Sequence, residues 1–136
     1  MLVRPYTESD LEALRHMHAS QGFDYPFPDL ADPIFVSKLV LEDDAGKNAM
    51  ASLARLTCEM YLLVDREARV PPDRRWAQLL ALHAAGERDL AARGLDDAHA
   101  WLPPPVAKRF GRRLGALGWQ RDDTWTPYCK ILKAGG

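Results

Sequence analysis

Between Val70 and Leu80 the chain reads VPPDRRWAQLL, with two adjacent arginines where a helix is expected to start. An apolar run, CEMYLLVD (Cys58–Asp65), precedes it, and a long helical pattern follows, ending at Gly94. Strand, short loop and helix N-terminus together make a seat for an anion, because the first helical turn presents unpaired N–H groups and the positive end of the dipole. Arg74 and Arg75 repel that same dipole, so a bound anion would offset them; a solvated helix start is the plainer alternative. The histidines suggest less. His16 and His18 are spaced i, i+2, which turns them to different sides of a helix. The four histidines, with Cys58 and Cys129, match no zinc spacing, and no metal site is expected.

The elements that must position these residues follow from periodicity and punctuation. MLVRPY is a short strand, and Thr7 with Asp10 resembles a capping box opening a first helix. That helix carries Leu11, Leu14, Met17 and His18 on one side and stops at Gly22. The loop 22–33, GFDYPFPDLADP, holds three aromatic residues and reads as an ordered loop or as the wall of a pocket. IFVSKLVLEDD and AMASLARL form a hairpin about AGKN, and TCEMYLLVD follows with no visible turn. The long helix runs from about Asp73, its N-cap, to Arg93, with Gly94 closing it. DDAHAWL is a strand ended by Pro103–Pro105. A shorter helix carries Val106, Phe110, Leu114 and Leu117, with Lys108, Arg109, Arg112 and Arg113 as a solvated basic face. Gly118 ends that helix, and WQRDDTWTPYCKIL is expected to form a last hairpin around Asp122–Asp123. A strand, crossover helix and second strand imply a parallel pair, and the hairpins imply antiparallel neighbours. The class is α/β, a mixed and mostly antiparallel sheet with one central parallel splayed pair and helices on both faces.

At 136 residues the chain is expected to be one domain, 1–136, large enough to bury a core. A net charge of −1 gives no reason to expect a nucleic-acid or acidic-membrane partner. No apolar stretch approaches the ~20 residues of a membrane span, and Arg4 is followed by no signal-type apolar region. Cys58 and Cys129 are expected in strands as buried, reduced thiols. The expected location is cytoplasmic.

Three stretches, VRPYTESDLEALRHMHA, YLLVD and RRLGALGW with its Leu117-Gly118-Trp119 step, resemble the GNAT superfamily of acyl-CoA N-acyltransferases. The order of elements resembles it over nearly the whole chain, in the style of small phage and prophage members. The resemblance implies acetyl-CoA or another acyl-CoA as co-substrate, lying where two parallel strands splay apart, here Glu59–Val64 and Ala98–Leu102. Backbone of Leu62, Leu63 and Val64 would hold its pantetheine arm. Its pyrophosphate would sit on Pro72–Ala77, with Arg74, Arg75, Trp76 and Ala77 as ligands. Of the family's Gln/Arg-x-x-Gly-x-Gly/Ala pattern only Ala77 matches, since Pro72 replaces Gln/Arg and Arg75 replaces the central Gly. Arg75 either supplies charge in place of the lost N–H contacts or crowds the seat.

The resemblance further implies a base on the first strand, where Glu59 is the carboxylate, with a strand-end glutamate paired to Arg55 as its structural alternative. The family's tyrosine acid would fall at Leu114, which cannot donate a proton, leaving Tyr128, His99 or Cys129 as substitutes and Tyr128 as the choice. The implied activity is N-acylation of a small-molecule or protein amine, with a homodimer open. The alternatives are an inactive binding or assembly module, or a CoA-ligand sensor.

Overall fold

The computed structural model describes residues 1–132. Its first half is built around one antiparallel sheet. Strand β1 (Leu2–Pro5) lies beside β2 (Phe35–Glu42), with Leu2 opposite Glu42, and β2 forms a hairpin with β3 (Asn48–Arg55). The hairpin turn closes through Asp43, whose backbone N–H bonds the Lys47 carbonyl at 2.8 Å while its Oδ1 accepts from the N–H groups of Ala45 and Lys47. Gly46 supplies the left-handed residue there, φ 77°. A 3₁₀ turn at Glu8–Asp10 leads into α1 (Leu11–Gln21). The expected capping role holds, because Asp10 Oδ2 accepts from the Thr7 N–H at 2.8 Å.

Helix α1 packs on this sheet through Leu14, which joins Leu30 and Val40 in a fully buried cluster bordered by Tyr6, Leu11, Phe27, Phe35 and Leu53. Leu30 belongs to the aromatic loop, so that loop is anchored in the core. At the sheet's far corner lies the buried carboxylate of Asp10, 3% exposed. It accepts from Arg4 Nη1 at 2.8 Å, Arg4 Nη2 at 2.7 Å and Asn48 Nδ2 at 3.0 Å. Arg4 Nε also donates to Glu42 at 2.8 Å. One charge network thereby joins β1, the 3₁₀ turn, the end of β2 and the start of β3.

The second half differs from expectation. Strand pairing breaks after Arg55, and β4 (Cys58–Glu59) joins β5 (Ala98–His99) in a separate two-stranded sheet. The expected parallel pair is present, Cys58 opposite Ala98 and Glu59 opposite His99. The expected single sheet is not: there are two, and of the strands predicted over Glu59–Val64 and Ala98–Leu102 only Glu59 and Ala98–His99 are in the ladder, with Cys58 as the other partner. The break has a visible cause. Arg55 turns away from the hairpin and binds Asp96 at 2.8 Å and Asp97 at 2.6 Å, while Thr57 Oγ1 donates to Asp97 at 2.8 Å. These bonds tie the end of β3 to the start of β5 instead of continuing the first sheet.

The crossover helix α2 (Pro72–Ala92) begins with Pro71 as N-cap, and Asp73 lies inside its first turn, a correction to the expected cap. Proline suits this place because its φ is preset and its missing N–H would be unpaired anyway. Gly94, φ 82°, follows its end. Helix α3 (Pro104–Ala116) starts the same way at Pro103, and Gly118 has φ 90°. Neither α2 nor α3 contains a buried residue, so the expected helices on both faces of one sheet reduce to α1 on the first sheet. The last hairpin is also absent among the described residues. A turn forms, with the Thr124 N–H on Asp122 Oδ1 at 3.1 Å, but the flanking segments do not pair. Pro127 removes a donor from one of them, and a two-residue strand offers no edge long enough to template the other. Cys129 is accordingly exposed and outside any strand, while Cys58 lies in a strand as expected but is half-buried and not buried.

The Arg4 guanidinium beside Asp10 holds that carboxyl far below the usual range. A folded pKa below the unfolded one, about 4, means the pair stabilises above pH 4 and is lost as pH falls through the folded value. The melting temperature of the parent is therefore expected to decline as pH is lowered from about 4 towards 2. Asp10→Asn should melt several degrees lower at pH 7, since it removes the carboxylate that binds both Nη atoms of Arg4 and leaves only Glu42 to meet its charge, and should lack that part of the acid dependence. Thermal denaturation followed by circular dichroism across pH checks both.

Candidate functional site

Several of the residues singled out in the sequence lie where β4 leaves β5. The ladder ends with the Met60 N–H on the His99 carbonyl, 2.8 Å. From Tyr61 to Val64 the chain makes no further backbone bond among the described residues, so its N–H and C=O groups face solvent. Unpaired strand backbone of this kind is a template for an extended amide-bearing ligand. Leu62 and Val64 are about half exposed and Leu63 is 91% exposed, so this is an open edge and not an enclosed slot.

Glu59 stands at the last paired position of β4, exposed. Period-two alternation places Tyr61 on the same side, and the neighbouring Glu59 carboxylate pushes the Tyr61 phenol up. The alternative pairing with Arg55 does not occur, because Arg55 is taken by Asp96 and Asp97. The same contact raises the Arg55 pKa and lowers that of Asp97. Tyr128, the expected acid, is 94% exposed and lies in the unpaired C-terminal segment, so the structure does not bring it into an assembled site. His99 stacks on Trp101, ring centroids 5.5 Å apart, with Nε2 3.7 Å from Asp97 Oδ2. Leu114 is half-buried on α3, with nothing to donate.

The anion seat is in the expected place but is furnished differently. Pro71 and Pro72 lack N–H groups, removing donors that an oxyanion would use, and Asp73 puts a negative charge in the first turn. Arg75 is committed: Nη2 donates to the carbonyls of Asp65 at 3.1 Å and Ala68 at 3.3 Å, and Nη1 to Gln78 at 3.3 Å. The loop carbonyls, not an anion, offset its charge. Arg74 and Ala77 are exposed and Trp76 is half-buried. The strand edge is open, the helix start has no glycine in its first turn, and Arg74 makes no side-chain hydrogen bond among the described residues.

Two connections were invisible in the sequence. Asp97 holds Arg55 across 42 residues, and the only hint is an Asp-Asp pair ahead of a strand. Trp119 Nε1 donates to His83 Nε2 at 2.9 Å, with His83 Nδ1 3.4 Å from Glu87, joining α2 to the segment after α3. No local pattern announces that contact. The histidines and cysteines give no metal cluster among the described residues.

Comparison of the chain with protein families, with characterised proteins and with solved structures gives no match. No helix among the described residues is long and apolar enough to cross a membrane.

If Arg75 pins the 65–71 loop, Arg75→Ala should free it. Trypsin cleavage after Arg66 or Arg69 is then expected to accelerate roughly fivefold or more, because charge-assisted bonds to two carbonyls are lost. Timed proteolysis read by mass spectrometry measures it; unchanged cleavage would show that the loop is held otherwise.

Proposed function

We propose that this domain is an acyl-CoA-dependent N-acyltransferase, acting on a small-molecule or protein amine. The observation that carries the reading is the parallel β4–β5 pair, which opens after Met60 and leaves Glu59 beside unpaired strand backbone. The thioester co-substrate supplies the activated acyl group. Backbone of Leu62, Leu63 and Val64 holds its amide-bearing arm, and Arg74 meets its phosphates by side-chain charge. Glu59 takes the proton an attacking ammonium must lose, directly or through one water. Tyr61, on the same side of the chain as Glu59, serves to orient that carboxylate. This assignment gives Tyr61 a positioning role and leaves Tyr128 without one. Unpaired cysteines agree with a reducing compartment, and the cytoplasm is the location this reading takes.

A second reading is favoured by the seat itself. With Arg75 bound to its own loop and two prolines at the helix start, the domain is instead a binding or assembly module, or a CoA-ligand sensor without turnover.

Calorimetry with CoA and acetyl-CoA separates the two classes. The enzyme reading expects saturable binding that weakens with added salt, since surface guanidinium–phosphate contacts are screened. Absence of binding favours the assembly module. Glu59→Gln is expected to lower acyl transfer, or slow acetyl-CoA hydrolysis as its proxy, by roughly 10²–10⁴ with CoA binding nearly unchanged. Equal turnover in variant and parent removes Glu59 as base.

A further inference from the structure

Trp119 follows Gly118, the left-handed residue just past the end of α3. Its backbone N–H bonds the Leu114 carbonyl of that helix at 3.0 Å, and its indole reaches across to α2. There Nε1 donates to His83 Nε2 at 2.9 Å, while His83 Nδ1 lies 3.4 Å from Glu87 Oε1, one turn along the same helix. The imidazole is 13% exposed and Glu87 is 63% exposed. Among the described residues, the indole bond is the hydrogen bond that ties the segment after α3 to an element other than α3.

The direction of that bond fixes the protonation state of the ring. An indole nitrogen can only donate, so His83 Nε2 accepts, and the single ring hydrogen sits on Nδ1, towards Glu87. A proton added at Nε2 sets donor against donor and abolishes the contact with Trp119. The same proton makes the ring a cation beside a carboxylate at i, i+4, a spacing at which opposite charges attract. Each state of the imidazole thus has its own partner: neutral, it holds the indole of another segment; charged, it turns to Glu87 on its own helix. The other neighbours do not compete for it. β4 meets this face of α2 with the uncharged thioether of Met60, beside Gly86. Asp96 and Asp97 line the cleft that Glu87 and Trp119 share, and Arg55 binds both of them.

The indole also lines two clefts. One, of about 480 Å³, lies towards α2, and the other, of about 830 Å³, lies towards Trp101 and α3; both reach Ala98 of β5. Moving Trp119 removes a wall that they have in common.

We propose that His83 is a proton-operated latch: neutral, it holds Trp119 and fastens the segment 119–123 to α2; protonated, it pairs with Glu87 and releases the indole, joining the two clefts beside β5. Histidine changes charge between about pH 5 and 8, above the acid range in which the Asp10 carboxylate is protonated, so the latch opens while the first sheet stays intact. It needs no acyl-CoA, so its failure is separable from failure of acyl transfer.

NMR of the indole N–H groups in the nitrogen-15-labelled full chain tests it, with Trp119→Phe identifying the resonance concerned. In the parent that resonance is expected at a bonded, downfield position at about pH 8 and at the position of a free indole by about pH 5, in one protonation step. Backbone amides from Gln120 to Asp123 should lose order over the same step, seen as falling heteronuclear NOE values. His83→Gln keeps an acceptor that cannot titrate, so its indole should stay bonded throughout. Glu87→Gln removes the partner of the charged state from an exposed position and should lower the midpoint by a few tenths of a pH unit, the size of an i, i+4 pair. It serves if His83→Gln does not fold. A parent resonance that stays fixed, a His83→Gln resonance that moves as the parent's does, a Glu87→Gln midpoint at or above the parent's, or amides that keep their order would each overturn the latch.

Discussion

The carboxylate of Asp10 is the constraint on which the ordered half of the molecule depends. Burying an ion is costly unless its lone pairs are met, and five donors from three parts of the chain meet this one. Because those donors come from β1, the 3₁₀ turn and β3, the carboxylate fixes the angle at which α1 leaves the sheet. Leu14 then arrives over Val40, and Leu30 of the aromatic loop closes the cluster. The loop's position therefore follows from a polar contact at the opposite corner.

A second charge contact governs the other half. Arg55, at the end of β3, binds Asp96 and Asp97 at the start of β5. It holds β4 against β5 in parallel and at the same time diverts the chain from the first sheet. With no buried residue on α2 or α3, side-chain contacts such as Trp119 to His83 and Arg75 to the Asp65 and Ala68 carbonyls organise this half more than apolar packing does. Local stability is expected to be uneven between the halves for that reason.

The sequence was legible where the signal is local. Thr7 and Asp10 announce a helix start, Gly22, Gly94 and Gly118 its stops, and the alternation in FVSKLVLE and NAMASLAR the hairpin. The order strand, long helix, strand correctly implied the parallel pair of β4 and β5. Illegible features were those set by distant partners. Nothing near Arg55 shows that Asp97 captures it, so the splitting of the sheet could not be read. Nothing near Tyr128 shows that its segment lacks a strand to pair with. Arg75 was legible as an anomaly at a helix start, but its resolution lies in carbonyls of a loop without regular structure. Around β4, alternation put Glu59 and Tyr61 on one side, but the end of strand pairing after Glu59, which leaves Leu62–Val64 exposed, could not be read from an apolar run with no visible turn.

The unpaired stretches Tyr61–Val64 and Trp125–Leu132 have a consequence for the protein's colloidal behaviour. Both combine exposed apolar side chains with free backbone groups, the composition from which cross-β stacking grows. The chain places a breaker at each. Asp65 ends the first stretch with a charge, and Pro127 and Lys130 interrupt the second. A charge or a missing backbone donor at these positions disfavours the recruitment of further copies along either stretch. Freedom to vary there is therefore limited by crowding in solution.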